Sequence, residues 1–258
     1  MDEQFKPDQD PSVQTGFKVY AALVVFSCLG TLFSHFSHVN PGVIRPITAI
    51  LTLLVATFTL ISVLGGRREA MVAALGVMVL GAVAESVGLF TGLPFGRYEY
   101  TSAWWPTVAL GPHRFPLLLP MAWFMVVTAS YLLVRCRGRG SGTILTTGIL
   151  AALIDIPMEA AMTGPLGYWK WIPNGPIFGA PWMNVFGWFT VSCLAAAWLH
   201  RFYAHARSPG RVPGLILILH LLLIATQLFG VAVAPLGVAL LMVGVIALCL
   251  PTKVRLLS

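Results

Sequence analysis

The sequence predicts an all-α integral membrane protein, a bundle of about eight transmembrane helices with seven as the alternative. Three observations predict this class. The 258 residues are 57% hydrophobic and only 10% charged, whereas soluble domains are about 25% charged. The apolar residues are gathered into long runs, and the positive charges are concentrated between alternate runs. The net charge of +7 therefore indicates membrane orientation rather than nucleic-acid binding.

Eight apolar runs are long enough to cross the roughly 30 Å hydrocarbon core of a bilayer. The last two are the least distinct, because residues 212–250 form one apolar stretch broken only by Gly230 and Pro235. This stretch is compatible with two short helices or with one helix and a re-entrant segment. The runs lie at residues 17–36, 44–64, 69–90, 115–134, 143–163, 182–203, 213–230 and 232–250.

The N-terminal segment 1–16 is acidic and contains proline and glutamine, so we expect a disordered tail ahead of a single transmembrane domain at 17–258. This tail has no basic region, and no small-residue cleavage site follows the first apolar run. A cleaved signal peptide is therefore not expected.

The distribution of lysine and arginine predicts the orientation. With eight spans, one side of the membrane holds the N-terminal tail, the C terminus and twelve of the 16 basic residues. The positive-inside rule then places both termini in the cytoplasm. The two longest loops, 91–114 and 164–181, lie together on the outer face. The basic residues on that face are Arg45, Arg97, Arg114 and Lys170.

The two outer loops carry a weak internal repeat. Thr91–Tyr100 (TGLPFGRYEY) and Thr163–Trp171 (TGPLGYWKW) both begin Thr-Gly and end with an aromatic, a charged and an aromatic residue. Each leads to a span in which a proline precedes Trp-Phe by seven residues, from Pro116 to Trp123 and from Pro181 to Trp188. The pattern indicates a duplicated helix–loop–helix unit, with coincidence as the alternative, and membrane proteins often place a site where such repeats meet.

Three of the nine acidic residues fall within the spans: Glu85, Asp155 and Glu159. They lie about 5–12 Å below the outer boundary at 1.5 Å per residue. Asp155 and Glu159 share one helix face, with Pro157 between them. Acids at this depth cost about 2–3 kcal/mol each, which favours a functional site. The structural alternative is that they fix helix packing by pairing with Arg97 or Arg114, or by bonding to tyrosine and tryptophan.

Several other kinds of site are disfavoured. The sequence has no nucleotide-binding glycine motif and no GxSxG nucleophile motif, and its acids are too few for the Asp-rich motifs that bind magnesium diphosphates. The four cysteines are isolated and favour packing. His35 and His38 have an HxxH spacing but no third histidine nearby, which favours an interfacial pair over a metal site. His220 is alone in a span, so we expect it to be a packed, hydrogen-bonded side chain. Asn184 is expected to orient an acid or water, or to cap a helix.

The remaining chemistry is acid catalysis on an apolar molecule from the bilayer. A buried carboxylic acid can protonate an alkene, and tryptophan and tyrosine faces can stabilise the resulting cation. Capture by water gives an alcohol, whereas ring closure or proton loss gives an isomeric hydrocarbon.

These residues resemble the CruF-type carotenoid hydratases, a multi-pass family labelled carotenoid biosynthesis protein. The resemblance is strongest over about residues 80–190. It is carried by Glu85, the Thr91–Tyr100 segment, Asp155-x-x-Met-Glu159, Gly167-Tyr-Trp-Lys-Trp171 and Gly179-Ala-Pro-Trp-Met-Asn184-Val-Phe-Gly-Trp188.

The resemblance implies an enzyme of the hydro-lyase class that adds water to the terminal 1′,2′ double bond of an acyclic carotenoid ψ-end. The substrate would be γ-carotene, lycopene or a C50 analogue. No metal or organic cofactor is expected. The expected partners are the carotenoid, water, membrane lipid and other carotenoid biosynthesis enzymes, with no nucleic acid. The expected location is the bacterial or archaeal cell (inner) membrane.

Our sequence-based hypothesis assigns catalysis to the three membrane acids. Asp155 donates the proton, although Glu85 could exchange roles with it, and a water held by Glu159 or Glu85 captures the cation. Arg97 is expected to keep one carboxylate ionised. The residues expected to bind substrate are Arg97, Tyr98, Trp169, Trp171, Asn184 and Trp188. A carotene cyclase, a non-catalytic carotenoid-binding or assembly subunit, and a transporter are the alternatives.

Overall fold

The computed structural model describes residues 7–40, 42–65, 68–137, 142–204 and 209–251. Within them the chain forms eight α-helices that match the eight predicted runs closely. Four short strands, which were not predicted, lie in the two long loops. The helices are α1 (Pro11–Ser37), α2 (Ile44–Val63), α3 (Arg68–Thr91), α4 (Leu119–Arg137), α5 (Thr143–Thr163), α6 (Trp182–Tyr203), α7 (Val212–Leu228) and α8 (Val233–Cys249), and the strands are β1 (Tyr98–Tyr100), β2 (Thr107–Leu110), β3 (His113–Pro116) and β4 (Trp169–Trp171).

Helix α1 begins inside the segment that was predicted to be a disordered tail. Residues Pro7–Gln9 form a short 3₁₀ helix, and Asp10 then caps α1. Its Oδ1 accepts hydrogen bonds from the amides of Ser12, at 2.8 Å, and Val13, at 3.3 Å. A side-chain acceptor before a proline at the first helical position is a strong start signal. Residues 1–6 lie outside the described part of the chain.

Helix α4 begins later than predicted because the residues before it form a hairpin. Strand β3 pairs antiparallel with β2, so Pro116 lies opposite Thr107 instead of opening the helix. The apolar run at 115–134 therefore combines a strand end and a helix, which hydropathy alone does not separate.

Six of the helices are long and apolar enough to cross a membrane, α1 to α6, and α7 and α8 are apolar helices of 17 residues each. Many large apolar side chains on the outside of the bundle are exposed, among them Phe33, Phe58 and Leu241. These features define a helical bundle compatible with a membrane.

The central four helices have an approximate twofold arrangement. Helix α3 packs against α4 and α6, and α5 packs against the same two helices. Above them β1 pairs antiparallel with β4, with Tyr98 opposite Trp171 and Tyr100 opposite Trp169. The α3–β1–α4 unit and the α5–β4–α6 unit therefore make corresponding helix and strand contacts with each other. The arrangement is the one expected for the internal repeat.

Candidate functional site

A cavity of about 350 Å³ lies beneath the β1–β4 strand pair, between α1, α2, α4, α5 and α7. Its lining is mostly apolar and aromatic. Among the few polar groups are the carboxyls of Glu85 and Glu159. Ligand sites in proteins are commonly apolar cavities with a small number of convergent polar groups. The tyrosines and tryptophans of the lining are Tyr98, Tyr100, Trp104, Trp123, Tyr168, Trp169, Trp171 and Trp188.

Glu85 is buried on α3 and accepts three side-chain hydrogen bonds. The hydroxyls of Tyr98 and of Tyr100, the latter at 2.8 Å, donate to its Oε2. The indole Nε1 of Trp123 on α4 donates to its Oε1 at 3.0 Å. The two tyrosines alternate along β1 and therefore point to the same side of the strand. One strand and one helix thus fix this carboxyl in the cavity wall.

The two tyrosines that bind Glu85 lie in the long loop between α3 and α4 and are strongly buried. Burial raises the pKa of both Tyr98 and Tyr100, and the adjacent Glu85 raises them further. Because a raised tyrosine pKa favours the neutral phenol, both side chains keep the hydroxyl proton that they donate to Glu85.

Glu159 is held on α5 in the same manner. The indole nitrogens of Trp169 and Trp171 donate to its Oε2 at 3.0 and 2.9 Å. The amide Nδ2 of Asn184 on α6 donates to its Oε1 at 3.0 Å. The tryptophans alternate along β4 as the tyrosines do along β1, so the two strands present their donors to two carboxyls.

Asp155 lies one helical turn from Glu159 and is joined to it by Asn184. The Nδ2 of Asn184 also donates to Oδ2 of Asp155, at 2.7 Å, so one amide group bonds two carboxyls. The other oxygen of Asp155, Oδ1, is buried and has no hydrogen-bond partner among the described residues. Asp155 is not among the residues that line the cavity. Helix α5 continues through Pro157, which separates the two acids.

Arg97 is the predicted site residue that the structure does not bring to the acids. Its side chain is exposed, because it precedes the inward-facing Tyr98 and therefore points away from the cavity. Its carbonyl accepts a hydrogen bond from the amide of Ile172 at 2.8 Å and extends the strand pair. The outward positions Glu99 and Lys170 form a salt bridge of 3.3 Å above the site.

A pair of stacked tryptophans lines the cavity beside the glutamates. Trp123 and Trp188 lie with ring centroids 3.9 Å apart and planes 13° apart. Trp123 also packs on Gly81 of α3, where an added Cβ would lie 2.6 Å from its Cγ. Only a glycine permits this approach. Trp188 was a predicted site residue, whereas Trp123 was not, although the matching Pro-to-Trp spacing of the repeat indicated it.

Tyr100 was also missed, and the alternation of Tyr98 and Tyr100 along β1 was the signal for it. The sequence left open that the acids serve only to fix helix packing, through hydrogen bonds from tyrosine and tryptophan. The structure contains such hydrogen bonds. The cavity is the feature that this alternative does not require, because Glu85 and Glu159 would then be enclosed by protein. An acid that is rigidly held and also borders a cavity can exchange a proton with a bound molecule.

The fold and site define a helical protein, compatible with a membrane, whose aromatic cavity is bordered by two buried glutamates. The chain belongs to the carotenoid biosynthesis protein family, whose family model matches residues 44–251. This confirms the family that the sequence motifs predicted.

A bisanhydrobacterioruberin hydratase from Haloarcula japonica is 31% identical to the chain over 120 residues. The match covers 43% of this chain and 38% of that protein, so the chain spans about two-fifths of the length of this relative. No solved structure matches the chain significantly.

Proposed function

We propose that this protein is a cofactor-independent carotenoid hydratase. The reaction adds water across the terminal 1′,2′ double bond of an acyclic ψ-end and leaves a tertiary alcohol. γ-Carotene, lycopene or a C50 analogue is the substrate. Membership of the carotenoid biosynthesis family and the similarity to a hydratase support this class.

The observation that carries the proposal is that two glutamates border one aromatic, apolar cavity. Alkene hydration needs an acid to supply a proton and a base to accept one from water. Glu159 and Glu85 are separate carboxyls in the same cavity, each oriented by three side-chain donors. Rigid orientation of reacting groups is what lowers the barrier in such sites.

Glu159 is the proton donor in this mechanism, in place of Asp155. Asp155 does not line the cavity, whereas Glu159 does and shares the Asn184 amide with it. Two carboxyls on one donor have linked protonation, so the pair can hold one proton and pass it to the substrate. Asp155 and Asn184 are then positioning residues.

The bonds change as follows. The O–H bond of Glu159 breaks, and the alkene π electrons form a C–H bond at the less substituted carbon. The resulting tertiary cation is stabilised by the faces of Trp169, Trp171 and Trp188, which all line the cavity. Water forms a C–O bond with the cation and gives a proton to Glu85. Proton exchange between the carboxyls restores the starting state.

The substrate enters from the lipid. A cavity of about 350 Å³ is near the lower limit for small-molecule sites, so it accommodates an end group and not a whole carotenoid. Phe26 and Phe33 of α1 and Ile44 of α2 line the cavity and are also exposed on the outside of the bundle. The polyene extends into the bilayer between α1 and α2.

We further propose that all eight helices cross the cell membrane as one domain, with both termini in the cytoplasm and the β1–β4 pair outside. The positive-inside pattern supports this orientation. Tyr20 bonds the carbonyl of Ile216, and Gln227 bonds Thr31. Both contacts join α1 to α7 at the same sequence separation, so these helices run parallel. Alternating crossings require that direction.

The test is expression in bacteria that accumulate lycopene or γ-carotene, followed by chromatography and mass spectrometry of the pigments. A more polar pigment heavier by one water is expected. A pigment of unchanged mass but altered retention would indicate a cyclase, and unchanged pigment would contradict enzymatic activity. The matched control is the E85Q/E159Q double variant, which keeps the shape of the site.

A further inference from the structure

The cavity also has polar groups on α1 and α7, helices that do not carry the glutamates. His220 is buried on α7 at 7% exposure, and its Nε2 has no hydrogen-bond partner among the described residues. Ser27 on α1 has an equally unpartnered, buried Oγ. Both residues line the cavity. From the sequence we expected His220 to be hydrogen-bonded. In the structure its Nε2 makes no hydrogen bond to the described residues.

The register of α1 and α7 brings these two side chains to nearly the same level. Tyr20 contacts Ile216 and Thr31 contacts Gln227, and both pairs are 196 residues apart in sequence. The same offset places His220 level with Val24. Ser27 is three residues further along α1, which corresponds to about 4.5 Å of axial rise. Ser27 and His220 therefore lie within about one helical turn of the same level, and both line the cavity.

We propose that Ser27 and His220 form a binding site for a single hydroxyl oxygen inside the cavity. A hydroxyl or water both donates and accepts hydrogen bonds. It can therefore satisfy the serine hydroxyl together with either tautomer of the imidazole nitrogen. A buried polar atom without a partner costs free energy in an apolar environment. Binding of a hydroxyl removes this cost at two atoms at once.

Two sources supply this chemistry: a water molecule, and the hydroxyl group of a carotenoid that already carries one. An apolar carotenoid end group offers neither a donor nor an acceptor. The site therefore binds either a water molecule or a hydroxylated carotenoid, and it offers no hydrogen bond to a pure hydrocarbon. The inference depends on the cavity and its lining, and it holds whether or not the protein proves to be a hydratase.

The experiment is structure determination at a resolution that shows ordered water, without carotenoid and with lycopene carrying one terminal tertiary hydroxyl. An oxygen peak within hydrogen-bond distance of Ser27 Oγ and His220 Nε2 is expected. A peak in the carotenoid-free protein identifies water, and a peak only in the complex identifies the ligand hydroxyl. A structure pair with no such peak, or with these atoms bonded to other protein groups, would overturn the proposal.

A variant comparison adds a control. The S27A/H220F double variant should lose the oxygen peak, while T57V should retain it. Thr57 is a matched control because its hydroxyl is also buried and unpartnered among the described residues but does not line the cavity. A peak that persists in S27A/H220F would contradict the assignment. If that variant does not fold, the two wild-type structures decide the question.

Discussion

At the residue scale, three chemically similar carboxyls differ in what surrounds them. Glu85 and Glu159 each accept three side-chain hydrogen bonds and border the cavity. Asp155 accepts one such bond, from Asn184, and lies behind the cavity wall. Contacts made across the bundle, rather than residue type, therefore distinguish the three carboxyls.

The assignment of the proton donor is tested by comparing Glu159→Gln with Asp155→Asn. General acid catalysis contributes about 10²–10⁴-fold to a rate. We therefore expect Glu159→Gln to lower the hydration rate by at least about 100-fold. Asp155→Asn should reduce it less and change its dependence on pH, because the linked proton is lost. The initial rate of alcohol formation in isolated membranes measures both. Loss of activity in Asp155→Asn alone would return the donor role to Asp155.

The sequence located the three acids and most of their partners, because few charged residues occur within the apolar runs. It did not identify the orientation of Arg97. An arginine near buried acids is a natural partner on charge alone. In the strand that follows Arg97, however, alternate side chains point into the cavity. Which of them point inward became clear only from the pairing of β1 with β4.

At the element scale, the β1–β4 strand pair acts as a clamp over the two glutamates. Each strand contributes two aromatic donors on its inner face, and the intervening charged residues face outward. The sequence repeat indicated that the two loops are related. The pairing itself could not be predicted, since three-residue strands carry too short a pattern and their partner is about 70 residues away.

Removing the tyrosine donors should destabilise this clamp. A buried acceptor left without its donors costs about 1–3 kcal/mol. The Y98F/Y100F double variant should lower the free energy of unfolding by about that amount. Unfolding in detergent, followed by tryptophan fluorescence, measures the change. Glu99→Gln is the matched control on the outer face, where an exposed ion pair contributes at most about 1 kcal/mol. Equal effects of the two changes would contradict the clamp.

The contact between α3 and α4 gives a second prediction at this scale. The added Cβ of Gly81→Ala would clash with Trp123, which also stacks on Trp188 and donates to Glu85, so Trp123 must shift from its present position. Gly81→Ala should therefore cost about 1–3 kcal/mol of stability through overpacking and also lower activity. Thermal unfolding and hydration assays test this. Gly244→Ala is the control, because a Cβ there meets nothing within 4 Å. Unaltered activity in Gly81→Ala would mean that Trp123 does not position Glu85.

At the scale of the whole molecule, an aromatic cavity is enclosed by helices long and apolar enough to cross a membrane, and the proposed entry route for substrate lies between α1 and α2. The hydrophobic runs predicted all eight helices, because burial in lipid requires long apolar segments with satisfied backbone groups. The cavity was not predictable. It arises where α1, α2 and α7 meet the central four helices, and this packing depends on contacts between distant parts of the sequence.

Entry between α1 and α2 is tested by filling the opening. Gly30 lines the cavity, and no atom lies within 4 Å of a Cβ built there, so a side chain can be added at this position without a clash at its Cβ. Gly30→Trp should raise KM for a full-length carotenoid several-fold while the protein remains folded. Gly237→Trp, at an open position on α8, is the control. An unchanged KM in Gly30→Trp would contradict this entry route.

In the proposed reaction, water adds to a carotenoid at the two-glutamate cavity. The most direct measurement is to incubate the purified protein with lycopene in water enriched in the heavy oxygen isotope and to analyse the product by mass spectrometry. We expect an alcohol with one heavy oxygen for each hydroxyl formed, and no alcohol from the E85Q/E159Q variant. An alcohol with unlabelled oxygen, an isomer without oxygen, or equal product from the variant would contradict it.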